Sequence, residues 1–88
     1  MDKSRIISEI ERRVNNFEKG DYAPWTVGIS DTPKVRKDQH ENDGKDIGRW
    51  KDWSLDSQKD GREIEDYFLG KGMRGDAGGG SAGYVFIF

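Results

Sequence analysis

The run Tyr84-Val85-Phe86-Ile87-Phe88 constrains this chain more than any other segment. Its five consecutive apolar residues, β-branched and aromatic, suit a strand and leave no polar face to turn towards water. Such a strand belongs in the middle of a sheet, buried on both faces, so the rest of the chain has to cover each side. Material for this is scarce. Hydrophobic residues make up 32% of the 88 and charged residues 36%, a balance that leans towards disorder. Three Trp, three Tyr and four Phe counter it, because disordered segments are poor in aromatics. The expectation is one small folded domain, residues 1–88, with an aromatic-rich core and long polar loops.

The remaining elements follow from spacing. Ile6, Ile7, Ile10, Val14 and Phe17 recur at intervals of three and four, which predicts an amphipathic packing helix. Asp2 or Ser4 can cap its start and Gly20 can end it. Its mixed charges argue against membrane-surface binding. In the segment from Tyr22 to Ser30, Trp25, Val27 and Ile29 alternate with smaller residues as in a strand, with Pro24 tolerated near the start. Gly28, inside that strand, marks a bulge, a close approach to the backbone, or a simple packing position. Thr32-Pro33 is a helix start, and the helix runs to about Glu41. Its only aliphatic residue is Val35, and Arg36 and His40 share one face.

Residues 42–48 are a polar loop. Arg49 to Leu55 reads as a short strand with Trp53 and Leu55 on one face, although Trp50 breaks the alternation. Ser57 and Asp60 resemble a capping box. A helix from Gln58 to Leu69 would bury Gly61, Ile64, Tyr67 and Phe68 and end at Gly70. Residues 70–83 hold seven of the twelve glycines, so they read as a connector or a mobile functional loop rather than a core element. The order is α-β-α-β-α-β.

Several chemistries drop out. Without cysteine there are no disulfides, thiolate zinc sites or cysteine nucleophiles, and one histidine excludes any site needing two. No apolar run approaches 18 residues, and Met1 leads into Asp2-Lys3-Ser4-Arg5 rather than an apolar leader. A cytoplasmic protein with no membrane contact is expected. Fifteen basic against 17 acidic residues give a net charge of −2, which offers no global steering towards nucleic acid. Gly70-Lys71-Gly72-Met73-Arg74-Gly75 fits a dinucleotide fingerprint on paper, but a helix precedes it where a strand is required. Asp56, Gln58, Asp60 and Gly61 echo a calcium loop, but Tyr67 stands where the bidentate glutamate belongs. Neither haem nor a nucleotide cofactor is expected. What remains is Arg36, His40 and Glu65. Arg and His on one helical face suit an anionic oxygen such as a phosphate. A lone carboxylate such as Glu65 commonly holds Mg²⁺ when substrate phosphates supply the other ligands. The plainer reading is a solvated Arg, a surface His and a helix-face Glu.

The stretch from Thr26 to His40 resembles the second half of a GIY-YIG nuclease domain. That family has Tyr-Ile/Val-Gly ending a strand, an Arg eight residues past the glycine, and often a His four further on; Gly28, Arg36 and His40 match this spacing. Gly61 and Glu65 resemble the family's small residue and metal-binding glutamate on a later helix. The family's opening Gly-Ile-Tyr strand resembles only Gly83-Tyr84-Val85-Phe86-Ile87, which implies a circular permutation with that strand placed last, beside residues 25–30. The resemblance thus covers roughly residues 24–69 and 83–88, with the N-terminal helix as an addition. It implies an α/β (α+β) domain, with a small three-stranded, largely antiparallel sheet flanked by helices.

In function, the resemblance implies a Mg²⁺-dependent DNA endonuclease. Arg36 would bind the scissile phosphate, Glu65 the metal, and His40 would assist water activation. Gly28, Lys34, Lys37 and Tyr84 would lie against the substrate. The family's two tyrosines are replaced by Thr26 and Phe86, of which only Thr26 can hydrogen-bond a water. Retained phosphate and metal positions without the tyrosines imply either a weak nuclease or a non-catalytic nucleic-acid-binding descendant. A protein-interaction module built on the first helix and the aromatics is the third class.

Overall fold

The computed structural model describes residues 1–76 and 83–88. Its elements are α1 (Lys3–Glu18), β1 (Thr26–Ser30), α2 (Pro33–Asn42), β2 (Lys51–Ser54), α3 (Gln58–Lys71), β3 (Arg74–Gly75) and β4 (Tyr84–Ile87). The fold is α+β. Among the described residues the strands form one mixed sheet in the order β2-β4-β1-β3. β4 runs antiparallel to both β1 and β2, and β3 runs parallel to β1. The expected sheet of three largely antiparallel strands is therefore corrected to four, and the order to α-β-α-β-α-β-β. The extra strand lies in the stretch read as a glycine-rich connector. It left no side-chain pattern because backbone bonds carry its pairing: Arg74 N–H donates to Trp25 O at 2.9 Å and Asp76 N–H to Val27 O at 3.0 Å. The rest of that connector, residues 77–82, lies outside the described residues.

The apolar run behaves as its composition requires. Val85, Phe86, Ile87 and Phe88 are buried, and β4 sits between two strands. Alternation along the strands then divides the sheet into two faces. On one face Val27, Ile29, Trp53, Val85 and Ile87 meet Ile6, Ile10 and Val14 of α1 and Ile64 and Phe68 of α3. Burying each such side chain contributes about 1.5–3 kcal/mol, so α1 is part of the core rather than an appendage. Tyr67, expected inside, is 39% exposed. Its hydroxyl donates to Glu11 at 2.9 Å, which keeps the polar tip at the surface. On the other face lie Gly28, Phe86 and Phe88, covered by α2, whose only buried residue is His40.

Local signals placed most helix ends. Asp2 caps α1 by accepting the Arg5 N–H, and Ser57 caps α3 by accepting the Asp60 N–H. Thr32 precedes Pro33 but makes no side-chain cap; its own N–H donates to Ser30 Oγ at 2.9 Å. α3 continues past Gly70 to Lys71. The stop is Gly72, at φ +112°, whose N–H reaches the carbonyls of Phe68 and Leu69. No helix among the described residues is long and apolar enough to cross a membrane.

Candidate anion-binding cleft

The α2 face of the sheet opens at one end into a cleft of about 660 Å³. Thr26 and Phe88 form its sheet side, where Thr26 N–H donates to Phe88 O at 2.7 Å and Phe88 N–H to Thr26 O at 3.0 Å. Arg36 and His40 enter from α2, one helical turn apart. Asp76 enters from the end of β3, and Lys45, Arg49 and Arg74 stand around the opening.

Asp76 joins these groups. Arg36 Nη2 lies 2.6 and 2.7 Å from its two carboxylate oxygens, so a single nitrogen straddles both, while Arg36 Nη1 donates to Gln39 at 2.7 Å. His40 Nε2 lies 3.5 Å from Asp76 Oδ2, beyond a good hydrogen bond. Burial pushes the Asp76 carboxyl up, but the hydrogen bond and charge of Arg36, with help from His40, outweigh it and hold the group below its ordinary value. The His40 side chain is only 6% exposed. Both of its ring nitrogens lack a hydrogen-bond partner, as does Arg36 Nε. All three atoms are shielded from solvent, so each carries an uncompensated desolvation cost.

Aromatic packing fixes the histidine. Its ring centroid is 4.5 Å from that of Phe88, and Trp50 stacks on Phe86 at 4.5 Å and 12°. Trp50 breaks the strand alternation because β2 begins one residue later, leaving the indole to fold over the α2 face. There its Nε1–H donates to Asp52 at 2.9 Å. Gly28 lies behind the cleft. A Cβ there would stand 2.4 Å from Phe86 Cζ and 2.8 Å from Asp76 Cβ, so the close approach read from sequence is that of a ring and a carboxylate stem.

The cleft therefore gathers Thr26, Arg36 and His40 of the expected site residues. Lys34 and Lys37 lie on α2 but do not line it. Tyr84, expected against the substrate, sits at the start of β4, roughly 13 Å along the strand from Phe88, and does not line the cleft. Glu65 belongs to α3, whose Ile64 and Phe68 pack on the opposite face of the sheet, and it is not part of the cleft wall. Burial, then the charges of Asp66 and Asp76, raise its carboxyl, and Arg62 opposes them. Among the described residues no group of three or more His, Asp or Glu could hold a metal ion. The described side chains thus do not cluster into a Mg²⁺ site by themselves. Asp76 and Trp50 escaped the sequence reading. The only signal for Asp76 is an acidic residue two positions after Arg74 in a glycine-rich stretch.

No protein-family model matches the chain, and no curated protein or solved structure matches it.

Proposed function

We propose that this domain binds nucleic acid, with DNA as the reference ligand, by taking a backbone phosphate into the Arg36–His40 cleft on a GIY-YIG-like scaffold. The observation that carries this is the lining of the cleft: Arg36, Lys45, Arg49 and Arg74 converge there above the buried His40, against Asp43, Asp46 and Asp76. A phosphate oxygen takes hydrogen bonds from the guanidinium and ammonium groups at the opening, and these cations draw the backbone in. A binding module fits better than a nuclease, because Glu65 stands apart from the cleft and Thr26 is not a phenol. One observation favours cleavage as the second reading: the charge of Asp76 acts on Glu65, so the two carboxylates lie within electrostatic reach.

The test is titration of fluorescein-labelled DNA, single-stranded and duplex, at low salt. Binding should weaken steeply with salt and fall at least tenfold in Arg36→Ala, with Glu65→Ala unchanged. No binding by the wild type at low salt removes the proposal. Mg²⁺-dependent nicking by the wild type that Glu65→Ala abolishes replaces it with the nuclease reading.

A further inference from the structure

A second groove, of about 220 Å³, lies on the α1 side of the sheet, between the C-terminal half of α1 and β2. Arg12, Arg13 and Lys51 bring three cations to it against the single carboxylate of Glu9. Glu9 is partly engaged already, accepting Trp53 Nε1–H at 3.1 Å and lying 4.0 Å from Arg5. Arg13 Nε is buried without a hydrogen-bond partner. Phe17, also in the groove wall, is 53% exposed, the most open large apolar side chain among the described residues.

This groove and the cleft are linked through Trp25 and Arg49, although no residue lines both. Phe17 meets Trp25 edge-on at 6.2 Å, and the Arg49 guanidinium lies 4.4 Å over the same indole. Arg13 Nη2 donates to Arg49 O at 3.3 Å. Arg49 lines the cleft, so basic side chains continue from one face of the sheet to the other around its end. We infer that the α1 groove is a second nucleic-acid subsite and that the ligand is a single strand. Its backbone passes from the cleft over Arg49 to Arg12, Arg13 and Lys51, while a base stacks on Phe17. This rests on the cleft binding a phosphate. An exposed ring beside a basic track is how sequence-tolerant single-strand binders hold unpaired bases, and a duplex, whose bases are already stacked, offers none to Phe17. An acidic peptide would satisfy the cations but has no use for the ring.

The experiment is anisotropy titration of a labelled dodecathymidylate across a salt series, with duplex of the same length and poly-glutamate as competitors. Thermal melts confirm that each variant is folded. Removing two phosphate contacts in the double variant Arg12→Ala/Lys51→Ala should lower the salt slope by about 1.4. Phe17→Ala should weaken single-strand binding about fivefold or more and leave duplex binding alone. Lys59→Ala, remote on α3, should match the wild type. If the double variant keeps the wild-type slope while Arg36→Ala still weakens binding, the cleft reading survives and the second subsite is wrong. Tighter binding to duplex, or displacement by poly-glutamate as readily as by the oligonucleotide, also overturns it. No binding by any form, wild type included, overturns both readings together.

Discussion

Adding one methyl group at Gly28 should cost this domain much of its stability. The new Cβ would lie 2.4 and 2.9 Å from two atoms of the Phe86 ring and 2.8 Å from Asp76 Cβ. Favourable carbon contacts begin near 3.5 Å, so a neighbour has to retreat by about 1 Å. Neither neighbour is free to do so. The Phe86 ring is fully buried and stacked against Trp50, and Asp76 Cβ is one bond from a backbone whose N–H pairs with Val27. Overpacking of this kind costs about 1–3 kcal/mol, and two rigid neighbours place it in the upper half. Fewer unfolded conformations would return about 0.4–1 kcal/mol. For a domain this small, each kcal/mol moves the melting temperature by about 4–8 °C, so the expected fall is roughly 5–20 °C. Circular dichroism melts of Gly28→Ala and Gly70→Ala make the measurement. Gly70, within α3, has nothing within 4 Å of the position a Cβ would take, so the same substitution there should stabilise by about 0.5–1 kcal/mol. A Gly28→Ala melt within 2 °C or so of the wild type would refute the packing argument.

Three further outcomes are expected. Asp76 has a folded-state pKa below its unfolded value of about 3.9, so its contribution is complete above that value and disappears as pH falls through the folded one. Denaturant titrations should therefore show a loss of stability below about pH 4 that is shallower in Asp76→Asn. Glu65 has the opposite sign: its raised carboxyl disfavours folding when ionised, so Glu65→Gln should be the more stable protein at pH 7 and lose that advantage below about pH 4. Trp50→Ala removes stacking on Phe86 and Phe88 worth about 0.5–1.5 kcal/mol per pair beyond the buried area. It should lower the melting temperature and loosen His40, seen as broadening of its imidazole proton resonances.

Periodicity was a good guide wherever one face of an element is buried. The spacing of Ile6, Ile10 and Val14, the alternation of Trp25, Val27 and Ile29, and the run 85–88 each met the core they implied, whereas Tyr84 at the head of that run is exposed. The placement of the last strand beside residues 25–30 was implied by the family resemblance rather than by periodicity, and Val27–Ser30 do pair with Tyr84–Ile87. Two kinds of feature lay beyond that reach. β3 is only two residues long and exposed, so no side-chain period exists to betray it. Asp76 acts through a partner 40 positions away, and nothing local distinguishes it from a loop aspartate. Arg36 and His40 were legible because a helix fixes residues four apart on one face, whatever the rest of the fold does. The burial of His40 was not legible, because it depends on Phe88 and Trp50 arriving from distant segments.

The same limit applies to charge. A net value of −2 suggests indifference to polyanions, yet charge acts through its placement in space. Several acidic groups of α1 and α3 are occupied locally: Glu63 by Lys3 and Lys59, Glu11 by the Tyr67 hydroxyl, and Glu9 by Trp53. Lys45, Arg49 and Arg74 meanwhile converge on one end of the sheet, facing Asp43 and Asp46. Within the cleft, Arg36 is already neutralised by Asp76. An arriving phosphate would therefore find in Arg36 a fixed donor more than a free charge, held in place by Asp76 with His40 buried beside it. On this reading the two jobs separate. The Arg36–Asp76–His40 group decides where a phosphate sits, and the outer cations decide how strongly the backbone is drawn there. The salt slope of binding should accordingly track the outer residues Lys45 and Arg74, while changes at His40 alter affinity at every salt concentration alike.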